Sequence, residues 1–150
     1  MKYSTVDTAP WVTAFTPMVD QVIETQALPV PLVVRAYLVA FLAAWAQRSD
    51  FVPEPSFAER WMTLRTAEET KEFADQCLFC VSLFPNMGER RGIPAGYYSD
   101  LGSMAYAQVY RSSGNPLFQL LSRGFDPCAH VLHYTVSLNK TSEWMTPFVG

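Results

Sequence analysis

Between Pro31 and Arg48 the chain is apolar on every side of a helical wheel, relieved only by Arg35, Gln47 and Arg48. A helix without a polar face is normally surrounded by others, so the segment predicts a central helix over about 31–48 with the rest of the chain packed around it. A membrane span is the competing reading, and it fails on length. The unbroken apolar run, Ala36 to Ala46, has eleven residues, against the roughly 20 that a span requires.

Prolines and capping residues divide the rest of the chain into further helices. Thr16-Pro17 reads as a cap followed by a first-turn proline, with Val19, Val22 and Ile23 supplying an apolar stripe. Ser56 with Glu59, and Thr66 with Glu69, have the spacing of capping boxes, and Glu68, Glu69 and Glu72 place negative charge at the positive end of the second helix. That helix is expected to stop near Phe84, because Pro85 pushes its predecessor out of helical geometry. Pro94 is expected to open a helix to about Ser112. Asn115-Pro116 and Asp126-Pro127 mark two more starts, with Gly124 ending the first and the last helix reaching about Leu138. The prediction is an all-α, irregular single-domain bundle of six or seven helices over residues 1–150. Its short tail, 141–150, carries Trp144, Met145 and Phe148 and is expected to dock.

A chain of 150 residues buries about 68–70% of its unfolded surface. With 49% apolar, 14% aromatic and only 17% charged residues, either the core is large or a partner covers part of the surface. The net charge of −3 and the scattering of the basic residues, with Arg90-Arg91 the only adjacent pair, speak against nucleic-acid binding, which relies on clustered cations. Three cysteines, an odd number, and a start without the apolar run of a secretory signal point to the cytoplasm.

Cys77-Leu78-Phe79-Cys80 has the spacing of redox and zinc motifs. Yet Phe73, Cys77, Cys80 and Phe84 form one helical stripe with no Gly or Pro to build a metal-binding turn, so core packing explains the thiols better. His130 and His133 are the other candidate ligands, but on a helix from Pro127 they fall opposite Cys128. A tetrahedral site needs four convergent ligands. Cys128, near a helix start, is a candidate for a dipole-lowered thiol pKa, although an inert core thiol is the better reading. Arg90 and Arg91 precede a helix N-terminus and could hold an anion, or bind helix-end carbonyls or a carboxylate such as Asp100. Signatures of di-iron, zinc-protease, nucleotide-binding and serine-hydrolase sites are missing from the sequence. No cofactor is expected.

The Pro94 helix has an apolar face of Tyr98, Leu101, Gly102, Ala105 and Val109, whose small members admit a close neighbour. Beside it lies a hydroxyl-rich side of Ser99, Ser103, Tyr106 and Tyr110. Such tyrosines suit an interface or a cleft, although an aromatic stripe is more often core. The function expected is that of a non-enzymatic interaction or adaptor protein, binding a protein partner or a second copy through Ser103, Tyr106, Tyr110 and Trp144. The alternative is a helical protein that binds a small molecule, anion or metal, whether or not it is an enzyme, with a pocket near Cys77, Cys80, Arg90, Arg91, Tyr97 and Tyr98.

Overall fold

The computed structural model describes residues 7–48, 51, 53–94 and 96–149, with the backbone alone for Arg90 and Val149. The described residues are all-helical, without a strand, and seven of their helices exceed seven residues. The helices are α1 (Ala9–Thr25), α2 (Leu32–Trp45), α3 (Ala67–Leu83), α4 (Tyr97–Ser113), α5 (Pro116–Arg123), α6 (Phe125–Leu138) and the short α7 (Thr146–Val149), together with a 3-10 segment, Pro55–Thr63. The chain divides into two compact units, Met1–Asp50 with Val131–Gly150, and Phe51–His130.

In the first unit, α1 begins at Ala9 and runs through Pro17 instead of starting there. Thr16 is no cap, since its hydroxyl donates to the Val12 carbonyl at 2.7 Å. An interior proline costs about 3 kcal/mol in a helix. The stripe of Phe15, Val19, Val22 and Ile23, all buried, spans that position and outweighs the loss. Pro10, in the first turn, is the proline that suits its place.

A Schellman motif ends α1: Leu28 N–H donates to the Ile23 carbonyl at 3.1 Å and Ala27 N–H to Glu24 at 3.3 Å. Its left-handed position, normally glycine, is held by Ala27 at φ 51°. The turn sends α2 back against α1, where Arg35 Nη1 pairs with Asp20 Oδ1 at 2.9 Å.

One side of α2 carries the buried Val34, Leu38, Val39, Phe41, Leu42 and Ala43. The other is not covered. Leu32 is 77% and Val33 50% exposed, and Ala36, Ala40 and Ala44 continue the same open row at four-residue spacing. In place of an all-round buried cylinder, α2 is a helix whose solvent face happens to be apolar, because alanine favours helix while presenting little surface. The tail docks within this unit: Trp144 meets Trp11 edge-to-face at 4.9 Å, and Phe148 lies 6.3 Å from Phe15.

In the second unit, the Thr66–Glu69 capping box forms in both directions and Asn115 caps α5 through Leu117 N–H. The Ser56–Glu59 box does not form. Residues 55–63 wind as a 3-10 segment in which Ser56 donates to Glu54 Oε1 at 3.1 Å. Nor does Pro94 open α4: it accepts a turn bond from Tyr97 N–H at 3.1 Å, and Gly96 stands at the N-cap. The α3–α4 contact is close because of Gly102. A Cβ there would lie 2.4 Å from Phe125 Cε2 and 2.9 Å from Cys77 Cβ. Between α4 and α5, Ser103 Oγ donates to the Ser122 carbonyl and Ser122 Oγ to the Ser103 carbonyl, each at 2.7 Å.

Candidate functional site

Of the residues expected to line a ligand pocket, the Arg90 side chain lies outside the described residues, Cys77 and Cys80 are buried, and Tyr98 is engaged in packing. Its ring stacks on Phe57 with centroids 5.5 Å apart and planes 8° from parallel, and its hydroxyl donates to the Pro55 carbonyl at 2.7 Å. Burial pushes the phenol upward, and Cys80, Tyr97 and Cys77 add to this, while Arg91 opposes it. Tyr97 itself is 40% exposed at the start of α4. Arg91 is exposed in a 3-10 turn that ends at Gly92, whose φ of 70° needs glycine. The Phe57 ring thus covers one face of Tyr98.

All three thiols are free and buried. Burial drives Cys77 far above the ordinary thiol range, with the neighbouring Cys80 raising it further, and holds Cys80 at about 12. Cys128 is likewise pushed up to about 12 by burial. The lowering expected of a helix N-terminus is absent because α6 starts at Phe125, which leaves Cys128 bonded to the Gly124 carbonyl past the first residues and 2% exposed. At pH 8 a thiol of pKa 12 is thiolate in only roughly one molecule in 10⁴. An aromatic disulfide reagent should therefore leave all three cysteines unmodified in native protein and titrate all three in denaturant. Rapid modification before unfolding would show that a thiol is accessible.

His130 and His133 are exposed on α6 while Cys128 is buried. Among the described residues, no three His, Cys, Asp or Glu side chains converge to hold a metal ion. Ser99 donates to Asp126 Oδ1 at 2.5 Å, one turn before His130. The serine hydroxyl is thus bonded to the carboxylate itself, whereas a nucleophilic serine needs its hydroxyl on the imidazole.

The hydroxyl side of α4 is used internally. Tyr106, expected at an interface, is fully buried, and its hydroxyl donates to Asp75 Oδ1 at 2.5 Å. Lys71 Nζ binds the other oxygen of Asp75 at 3.0 Å. A buried carboxylate requires such partners, so Tyr106 belongs to the core by necessity. Ser103 is committed to Ser122 and Trp144 to Trp11, and Tyr110 is half-buried.

The first unit has an open seam. A groove of about 330 Å³ runs between α1 and α2, lined by Val12, Thr16 and Asp20 on one wall and Leu32, Ala36 and Ala40 on the other. The rows at 12, 16, 20 and 40, 36, 32 run in opposite directions. Its charges cancel in the Asp20–Arg35 pair, and Arg35 Nε is buried without a hydrogen-bond partner. Composition gave no sign of this seam, because its alanines counted as core. The signal that could have found it was their recurrence every fourth residue beside Leu32.

The described residues form an all-helical fold with an open seam between α1 and α2. Compared with known proteins, the chain matches no protein family, no curated protein and no solved structure. Among the described residues, no helix is long and apolar enough to cross a membrane.

Proposed function

We propose that the protein is a non-enzymatic helical interaction protein that docks through the exposed apolar row of α2. The reading is carried by Leu32 at 77% and Val33 at 50% exposure, continued by exposed Ala36, Ala40 and Ala44. A contiguous exposed apolar strip of this kind marks interaction sites. Its three unpaired thiols fit the cytoplasm.

A second copy is the partner this row suits best. The row is bulky at its N-terminal end and small at its C-terminal end, so two copies crossing antiparallel about a twofold axis set Leu32 of each against Ala40 or Ala44 of the other. Such a contact is self-complementary, as an isologous interface must be, and it opposes the helix dipoles. The helix is only about 21 Å long at 1.5 Å per residue. The affinity expected is micromolar at best, in keeping with a small interface.

Light scattering over a concentration series tests this. The apparent mass of wild type should rise with concentration, and Ala40→Glu, a change at an exposed helical position, should abolish the rise while leaving the helical spectrum unchanged. A wild type that stays monomeric at millimolar concentration removes self-association. A rise that survives Ala40→Glu removes α2 as the surface.

A further inference from the structure

The second unit carries an open surface cavity of about 310 Å³, most of its lining residues exposed, where the end of the 3-10 segment and the start of α3 meet α4. Trp61, Met62 and Leu64 give it an apolar wall, and Arg65, Gln108 and Ser112 a polar one. We propose that it is a binding site for a small monocarboxylate with a flat apolar body, an aromatic acid. Its volume lies at the lower end of the roughly 300–1,000 Å³ typical of small-molecule sites.

The charge preference follows from which groups are already engaged. The α3 N-terminus is not the anion-binding element, because its backbone donors are taken: Thr66 Oγ1 accepts from Glu69 N–H at 3.1 Å, and Glu69 Oε1 accepts from Arg65 N–H at 2.9 Å and Thr66 N–H at 3.1 Å. Those two backbone bonds hold the Glu69 carboxyl below its ordinary range, with Arg65's charge a lesser cause, so it stays ionised.

Groups that can still donate occur on both walls. Among the described residues, the Arg65 guanidinium, the Trp61 indole N–H and the Ser112 hydroxyl make no hydrogen bond or ion pair. The Gln108 oxygen is occupied by Arg111 Nη2 at 2.8 Å, which leaves its amide N–H groups for a ligand. With a guanidinium, an indole N–H and side-chain amide N–H groups unengaged, donors outnumber acceptors in the lining, which favours an acceptor-rich guest. With Arg65 the only cation among the described lining residues and an ionised Glu69 close by, a phosphate dianion meets more repulsion than a monoanion, and a guanidinium matches the planar carboxylate in two-point contact.

The body of the guest is set by Trp61. One side of its ring packs against Phe73, with centroids 5.5 Å apart, while Met62 is 85% exposed beside it. A flat ring can stack on the indole, and the thioether adapts to its edge.

Phenylacetate is a suitable probe, with benzyl alcohol supplying the ring without the charge and acetate the charge without the ring. Titrated into ¹⁵N-labelled full-length protein, phenylacetate should give saturable shifts centred on the Trp61 indole, the Gln108 side-chain amide and the backbone of residues 64–67, with a Kd of about 1 mM or below. Arg65→Gln, at an exposed position, should weaken it at least tenfold, and benzyl alcohol and acetate should each bind at least tenfold more weakly than phenylacetate. The proposal is overturned by shifts that stay linear to about 20 mM, by shifts centred on other tryptophans, or by an affinity that Arg65→Gln leaves unchanged.

Discussion

Gly102→Ala is expected to destabilise the protein by about 2 kcal/mol, although helix propensity alone predicts the opposite sign. Replacing glycine by alanine inside a helix is worth up to about 1 kcal/mol in favour of folding, and Gly102 is interior to α4. The added Cβ, however, would sit 2.4 and 2.5 Å from two ring atoms of Phe125 and 2.9 Å from Cys77 Cβ. Neither neighbour can yield cheaply. Phe125 is 3% and Cys77 0% exposed, and one lies on α6 and the other on α3. Overpacking a tight core commonly costs about 1–3 kcal/mol, occasionally more, and here it must also cancel the propensity gain. The melting temperature should fall by about 4–8 °C at the usual sensitivity for a chain of this size. Combining it with Phe125→Leu should give less than the sum of the two single effects, because the leucine removes the ring that the methyl strikes. A Gly102→Ala protein as stable as wild type would mean that α3 and α4 are not as close as the structure places them.

The same glycine shows what could be read from the sequence. Gly102 and Ala105 were recognisable as small residues on an apolar face admitting a close helix, and the structure fills that approach with α3 and the Phe125 ring. The caps at Thr66–Glu69 and Asn115, and the stop at Gly124, were also legible, because each is satisfied within a few residues of chain. Reading failed where distant packing decided. Pro17 looked like a helix start because the burial that carries α1 through it is tertiary. Ala27 occupies a turn position that sequence assigns to glycine. Tyr106 looked like an interface residue because its partner, Asp75, lies 31 residues away on another helix. Other polar groups of α3 are drawn in by the same means: Gln76 is buried between Arg60, which donates to it, and Glu72. On a helical wheel such residues mark a wet face, and only the fold shows that they bind one another.

Leu38→Asp carries the largest expected effect, and its contrast with Ala40→Glu tests how α2 is oriented. Leu38 is 0% exposed. Losing its side chain alone costs about 2–5 kcal/mol, and a carboxylate without a partner in that place adds the penalty of a buried charge or of its forced protonation. The total is on the order of 5 kcal/mol or more, which matches or exceeds the stability of many domains. The variant should be recovered only from inclusion bodies, or lack a cooperative thermal transition. Ala40, two residues along and therefore about 200° around the helix, is exposed. A charge there meets water, so Ala40→Glu should melt within about 0.5 kcal/mol of wild type, as surface substitutions do. If α2 were surrounded on every side, as its composition implies, the two variants would fail together. If α2 were peripheral, both would fold. Only a helix buried along one side and left apolar along the other separates them, and that open side is the surface through which the protein is proposed to act.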